Sequence, residues 1–421
     1  MHDASLTAAS HPEAQRARQG GVADLAEALR ASRRDTLATF AAYELALPGL
    51  TVPQHAQLNP PCWELGHLGW FQEYWLARNP QRSLGAAADP HAPRSPALRP
   101  DADALYDSTH VPHATRWQLA LPDAEATRAD LRAQLQATQG LLQALREISD
   151  ATLYFFRLAL HHEDMHHEAA LYMARALGIA LDDPRWQPQP LPTPPAPLQF
   201  AAGAWTLGSL TPVGFAFDNE LGGRPVELGA TQIDAQALRW AEFLPFVQAG
   251  GYADARWWSP SGDAWRRTTH AQAPRYVRAA QGQGSGSAGD GGSWQCWRHG
   301  RWQALDLAEA AAHLTRHEAE AWCRWAGRRL PSEAEWERAA ISQPDAFRWG
   351  EVWEWTASPF EPFPGFVPHP YREYSAPWFD GRPVLRGASH LTQPRMRHPR
   401  YRNFFPAERN DLAAGFRSCA L

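Results

Sequence analysis

The sequence predicts an α+β protein, a four-helix bundle followed by a second domain of mixed helices and strands. Three observations carry this prediction. Apolar residues recur at helical spacing across residues 22–181. A proline-rich run, 184–197, then interrupts any regular element. Beyond it the chain breaks into short apolar pieces separated by Gly-rich turns and many tryptophans. A length of 421 residues agrees, being more than one core of ordinary size takes up.

Within the first region, Leu25, Leu29, Leu37 and Phe40 mark one face of an opening helix. A second helix is expected at 62–78. A third opens at Pro122 and Asp123, with acidic residues in its first turn, and runs to about Ile148. A fourth covers 151–177, where Gly178 supplies a stop. Four long helices make a bundle, assigned to 22–183. The connection 79–121 is long and proline-rich, and loops of that length usually carry function, so substrate contacts are expected there. Residues 1–21 are polar and Ala-rich, without the basic start and apolar run of a secretory signal. They are read as a disordered lead into a cytoplasmic protein. The run 184–197 is read as a stiff linker, and 198–421 as the second domain. That domain holds a helix at 316–326 and another at 332–340, the latter opened by the capping box Ser332-x-x-Glu335. The Gly/Ser-rich stretch 281–293 is expected to be a mobile loop.

Composition narrows the function. A net charge of −5 gives no reason to expect nucleic acid or an anionic membrane as partner. No run approaches the roughly 18 apolar residues of a membrane span. Cys62, Cys296, Cys323 and Cys419 are scattered, which argues against a thiolate zinc site or a disulfide framework. Twenty tryptophans and 36 prolines suit rigid aromatic surfaces that hold a small molecule, although core packing also uses them.

The sharpest local signal is Leu160-His-His-Glu-Asp-Met-His-His-Glu168. His162 and His166 stand one turn apart on a stripe of Phe155, Leu158, Ala159, Met165, Ala169 and Met173, while His161, Glu163 and His167 fall off it. Two imidazoles so placed are spaced for one metal ion. His67 is a third candidate, the one imidazole on a face with Trp63, Trp70, Phe71 and Tyr74. Three neutral histidines leave coordination positions open, which suits Fe(II) with O₂ as co-substrate, although imidazole also suits zinc, copper and nickel. His162 to His166 equally reads His-Glu-x-x-His, a zinc-hydrolase pattern with Glu163 as general base.

Longer motifs lie downstream: 317–337 with Trp322, Trp325 and Trp336, then Val352-Trp-Glu-Trp-Thr356, Val384-Leu-Arg-Gly-Ala-Ser389 and Tyr401-Arg-Asn-Phe-Phe-Pro406. Together they resemble the formylglycine-generating-enzyme-like module, a C-type-lectin-related fold, whose tryptophans are expected to brace its core. The copper-binding cysteine pair of true formylglycine-generating enzymes has no counterpart. A bundle with Gly66-His-Leu-Gly-Trp-Phe71 and His-Glu-x-x-His, joined to this module, resembles the ergothioneine-type sulfoxide synthases over about residues 22–421. The resemblance implies a DinB-like bundle, Fe(II) on His67, His162 and His166, and joining of a chalcogen to C2 of hercynine (trimethylhistidine) using O₂. It also implies a substrate pocket at Arg402, Asn403 and Phe404. A trimethylammonium group favours aromatic faces, for which Trp70, Phe404 and Phe405 are candidates, with Asn403 toward the carboxylate. Arg116, in the long connection, is a candidate at the donor site.

The departures matter too. Phe405 stands where relatives often carry an aspartate suited to the amino group of cysteine or γ-glutamylcysteine, and Met165 where they often carry glutamine. Phe360 and Phe363 lie where relatives place a tyrosine, so the proton donor is not identified. The segment 59–75 resembles the branch that includes selenoneine synthase, which implies a selenosugar donor, 1-seleno-β-D-glucose. Three other readings stay open: a sulfur donor, a zinc hydrolase, and a non-catalytic sugar-binding module.

Overall fold

A computed structural model describes residues 10–210, 213–280 and 293–421. The lead at 1–9 and the Gly/Ser stretch at 281–292 lie outside the described residues. Among the described residues the helices are α1 (Pro12–Gln19), α2 (Val22–Ala46), α3 (Pro61–Trp75), α4 (Ala102–Tyr106), α5 (Ala124–Gln143) and α6 (Asp150–Leu177) in the first half. Then come α7 (Trp240–Gln248), α8 (Pro260–Thr269), α9 (Arg316–Trp325) and α10 (Glu333–Ser342).

The long helices α2, α3, α5 and α6 form the expected bundle, α2 and α3 each packing on both α5 and α6. Local chemistry sets their ends. Asp123 caps α5 by accepting from the Ala126 N–H (2.8 Å). Gly178 closes α6 in left-handed backbone, φ 74°, a conformation that favours glycine. Helix α3 ends at Trp75, earlier than its apolar pattern suggests. Arg78 just beyond it turns its guanidinium onto the Asp103 carboxylate (2.6 and 2.8 Å) and the Ser95 carbonyl, tying the long connection to the helix end.

The reading of 1–21 as disordered is corrected at its second half, where Pro12–Gln19 is helical. His11 accepts from the Glu13 N–H, and Arg18, 4% exposed, forms a two-pronged ion pair with Glu220 (2.6 and 2.8 Å). This pairing partner lies some two hundred residues away, which a local pattern cannot show. The stripe reading of α6 also needs correction. His161, Glu163 and His167, placed off the core face, are 0%, 3% and 1% exposed. The second half of the chain closes over that side of the helix. Asp164 receives the Arg395 guanidinium (2.8 and 3.0 Å), and Glu168 accepts from Trp353 Nε1 (2.7 Å), Ser389 Oγ (2.7 Å) and Thr392 Oγ1 (2.9 Å).

Among the described residues the second half is built on four small sheets. β1 (Leu198–Phe200), β4 (Thr231–Ile233), β13 (Cys419–Ala420) and β8 (Arg328–Arg329) form one in that order. β11 (Asn403–Phe404), β10 (Pro383–Gly387), β9 (Trp353–Pro359) and β12 (Ala414–Gly415) form another, with Leu385 opposite Trp355. β2 (Gly203–Leu207) pairs with β3 (Arg224–Leu228), and β5 (Val277–Ala279), β6 (Trp294–Arg298) and β7 (Arg301–Ala304) make a meander. Trp336 and Trp355 are fully buried braces, and Trp336 Nε1 donates to Glu354 (2.8 Å), which also holds Arg417. The proline-rich run begins with a turn at Pro184–Trp186 and is pinned by the Leu191 N–H to the Ala308 carbonyl (2.8 Å). One apolar cluster joins Leu25, Trp63, Phe71 and Leu158 of the bundle to Phe243, Trp353, Leu385 and Phe416.

Candidate metal centre

Helix α3 carries Trp63, His67, Trp70 and Phe71 into the bundle, and α6 brings His162 and His166 to meet them. One ring nitrogen from each histidine lies within 4.8 Å of the others. The His162 and His166 ring centroids are 4.5 Å apart, and His67 is 5.1 and 5.0 Å from them. Gly66 makes this approach possible. A Cβ there would stand 2.2 Å from the Tyr106 ring, so only glycine lets α3 lie this close to α4. The same closeness lets His67 Nδ1–H donate to the Tyr106 carbonyl (2.8 Å).

That bond leaves His67 Nε2 unprotonated, its tautomer being assigned from its partner. His166 Nδ1–H donates to the Glu64 carboxylate (2.7 Å), which likewise frees its Nε2. His162 Nε2 is buried with no hydrogen-bond partner among the described residues. A buried polar nitrogen without a partner is costly unless something meets it, and three ring nitrogens converging within 4.8 Å fit a metal ion. Burial and the neighbouring His166 push the His67 pKa down to about 3, and burial drives His162 well below the ordinary value. Both rings are therefore neutral near pH 7, as ligation requires. Burial raises the Glu64 pKa, but His166, His67 and Arg116 more than offset this and hold it below the usual value.

Aromatic rings wall the three histidines. Trp63 stacks on His67 (centroids 4.9 Å, 8°) and Trp70 flanks its other side (5.6 Å). Phe71 lies flat on His162 (3.5 Å, 2°). Glu64 is held in turn by Asn59 Nδ2 (2.5 Å), and Asn59 Oδ1 accepts from Arg116 (2.9 Å). The hydrolase reading loses its base, because both Glu163 oxygens accept from Arg33 (2.7 and 3.0 Å).

Residues 184–351 match the family model described as the sulfatase-modifying factor enzyme 1-like domain. The hercynine oxygenases of Mycolicibacterium smegmatis and Mycolicibacterium thermoresistibile are each 30% identical to the chain, over 86% of it and over 90% and 87% of their own lengths. The chain belongs to the hercynine oxygenase family. A formylglycine-generating enzyme of Streptomyces coelicolor is also 30% identical, but over 34% of the chain and 46% of its own length. Membership of the hercynine oxygenase family makes this chain an enzyme of oxygenase type, dependent on a metal and O₂. No helix among the described residues is long and apolar enough to cross a membrane.

In this family member the other sequence-predicted residues divide. Trp70 lines the histidines and donates its Nε1 proton to Asp103 (2.7 Å). Asn403 accepts from the Phe404 N–H through its Oδ1 (2.9 Å), and Phe404 stacks on Phe360 (4.0 Å). Phe405 is half-buried under the Arg409 guanidinium (4.9 Å). Arg402 is a correction. It is 1% exposed, held by both Glu333 oxygens (3.0 Å each) and the Asn219 and Glu361 carbonyls, so it braces the module instead of meeting a ligand. Arg116 stands close enough to act on His67 and Glu64. Its guanidinium lies 3.6 Å over Trp63 and steadies Asn59 behind Glu64.

Phe360 and Phe363, read at a proton-donor position, are buried, Phe363 beneath Arg402 (4.2 Å). The phenol beside the histidines is Tyr371, edge-on to Phe71 (4.9 Å) and 6.1 Å from the His162 ring. Sequence reasoning missed it and Glu64. The available signals were a carboxylate one turn before His67 and the tyrosine pair Tyr371 and Tyr374. A cleft of about 170 Å³ opens against Trp70, Phe71, Trp75, Asp107, His110 and Tyr371.

Proposed function

We propose that this enzyme is an Fe(II)- and O₂-dependent synthase that joins selenium from a selenosugar to C2 of hercynine. The observation that carries the reading is the convergence of one ring nitrogen from each of His67, His162 and His166, within 4.8 Å of one another, beside an aromatic cleft. Family membership supplies the substrate class, since the relatives' printed name is hercynine oxygenase. Bound to these nitrogens, iron(II) supplies the electron chemistry that O₂ requires.

The chain's own residues supply placement and hydrogen-bond partners. Glu64 and the Tyr106 carbonyl fix the His166 and His67 rings, so both face the same point. Trp63, Trp70 and Phe71 keep water from them. The trimethylammonium group of hercynine rests against aromatic faces, with Phe404, Phe405 and Trp70 as hosts, and Asn403 Nδ2 is a donor for its carboxylate. Burial pushes the Tyr371 phenol well above its ordinary pKa, with Glu373 and Asp107 adding to the shift. It therefore stays protonated near pH 7, a hydroxyl that can hydrogen-bond to a bound ligand beside His162.

The donor follows from Phe405. A phenyl ring there offers no charge to the amino group of cysteine or γ-glutamylcysteine, whereas an uncharged hexose needs rings and hydroxyl partners. Trp75, Tyr371, Asp107 and His110 around the cleft are of that kind. A sulfur donor is the second reading, favoured by 30% identity to hercynine oxygenases over most of the chain. The test is anaerobic protein loaded with Fe(II), given hercynine and O₂ with 1-seleno-β-D-glucose or γ-glutamylcysteine, and read by mass spectrometry. A selenium adduct with the sugar alone supports the proposal. An adduct with the thiol alone returns the enzyme to sulfur chemistry, and no adduct with either donor overturns the hercynine reading.

A further inference from the structure

One wall of the cleft beside the metal centre is a short stretch of irregular chain, in which Pro370, Tyr371, Arg372 and Glu373 follow one another. Its backbone makes only single 3₁₀ turns, at Arg372–Tyr374 and Ala376–Trp378. Such turns have poor hydrogen-bond geometry and do not fix their own place in a fold. Tyr371 is nevertheless held edge-on to Phe71 and 6.2 Å from the Trp75 ring.

A single carboxylate fastens this wall at both ends. Asp218, 3% exposed, accepts from the His369 N–H through Oδ2 (3.2 Å) and from Ser375 Oγ through Oδ1 (2.5 Å). Ser375 Oγ accepts in turn from Asn219 Nδ2 (3.0 Å), which directs its own hydrogen to Asp218. Phe217, the residue before Asp218, stacks on Tyr374 (4.3 Å, 22°).

A further tie comes from α6, where the Tyr154 hydroxyl donates to His369 Nδ1 (3.0 Å). Burial keeps both groups in the form this bond needs, the phenol protonated and the imidazole, pushed down to about 4, neutral. Tyr154 precedes His162 by two turns of the same helix, about 12 Å at 1.5 Å per residue. The wall is thus keyed to the helix that carries two of the three histidines.

Asp218 is more than filling. A buried carboxyl is costly, and no cation offsets this one among the described residues. Burial raises its pKa, while Ser375 and the His369 and Asn219 N–H groups pull it back. Glu220, two residues on, serves a separate purpose by pairing with Arg18.

We propose that Asp218 is a positioning residue, which holds Tyr371 and the wall around it in place and so sets the affinity for the chalcogen donor, given the proposed place of that donor in the cleft. Its effect reaches the donor through residues 370–373, not through the metal.

Steady-state kinetics on the iron-loaded full chain test this, with whichever of 1-seleno-β-D-glucose and γ-glutamylcysteine gives an adduct. An asparagine offers one acceptor oxygen where Asp218 uses two. Asp218→Asn is expected to raise the donor KM about tenfold, as the loss of one such hydrogen bond would, with the hercynine KM and the iron content unchanged. Combined with Tyr371→Phe, it is expected to raise the donor KM by less than the product of the two single effects. Equal rises in both KM values, a fall in kcat alone, or fully multiplied effects in the double variant overturn the proposal.

Amide hydrogen exchange needs no substrate and gives an independent reading. In Asp218→Asn, residues 369–375 are expected to exchange about tenfold faster while α6 keeps its protection, and unchanged exchange in that stretch overturns the strap. Should neither donor give an adduct, the hercynine reading fails on its own, and the exchange still decides whether Asp218 holds the wall. Should Asp218→Asn not fold, Ser375→Ala removes one hydroxyl and is expected to give the same local exchange and donor-specific rise. A silent Ser375→Ala overturns the proposal.

Discussion

Glu64 does at residue scale what a bare ligand list omits. Its carboxylate accepts from His166 Nδ1–H at 2.7 Å, fixing the tautomer and raising the basicity of the ligating nitrogen. Glu64→Gln keeps the shape and loses the charge. Metal affinity is expected to fall about 10- to 100-fold with the one-to-one stoichiometry retained, as measured by anaerobic metal titration. Unchanged affinity would show that the Glu64 charge is idle. His162 and His166 were legible in the sequence because an i,i+4 pair inside an apolar stripe is a local pattern, and His67 because it is the one imidazole on an aromatic helix face. Glu64 and Tyr371 were not, since their roles depend on which helix or turn packs against them. Arg402 misled for the same reason: its motif carries no sign that Glu333 consumes the guanidinium.

At the scale of elements, helix positions followed from apolar periodicity, while their ends and contacts followed from tertiary partners. Helix α1 and the early end of α3 rest on ion pairs made with distant residues, Glu220 and Asp103. Helix α3 against α4 depends on Gly66. Gly66→Ala forces a methyl group into the Tyr106 ring, at a cost of about 1–3 kcal/mol. It also displaces the carbonyl that orients His67. The variant is expected to fold with a lowered Tm and to bind metal at least tenfold more weakly, and normal metal affinity would contradict this account of the turn.

Helix α9 carries a different signature. Glu318 accepts from the Thr315 N–H (2.7 Å), from Thr315 Oγ1 and from the Tyr252 hydroxyl. Burial nevertheless pushes its pKa up to about 7 from 4.5. A carboxyl that holds its proton more tightly when folded stabilises the fold most at low pH. Its contribution is lost as pH rises from about 4.5 through about 7. The loss is on the order of 3 kcal/mol for such a shift. Urea unfolding at stepped pH is expected to show a flatter slope in this window for Glu318→Gln. An unchanged slope would remove Glu318 from the pH response.

For the whole molecule, the two-part organisation was visible in the proline-rich run and the change of texture after it. The intimacy of the two parts was not. Carboxylates at Asp164 and Glu168 look like the solvated face of a surface helix until Arg395, Trp353 and Ser389 are brought onto them from the far end of the chain. Asp164→Asn leaves buried Arg395 with only the more distant Asp35 carboxylate (3.9 Å), a change that costs about 3 kcal/mol, the low end for a broken buried pair. Because one apolar cluster spans both halves, loss of this contact is expected to lower a single unfolding transition, with far- and near-ultraviolet dichroism coinciding. Two separated transitions would mean that the halves unfold independently.

The central claim is that His67, His162 and His166 together hold the metal ion on which the oxygenase depends. Iron content after anaerobic loading with Fe(II) and desalting, in the unaltered chain and in the variant with all three histidines changed to alanine, tests it directly. One iron per unaltered chain and none in the variant, with both chains folded by dichroism, is the predicted result. Equal iron in the two chains, or none in the unaltered one, would contradict it.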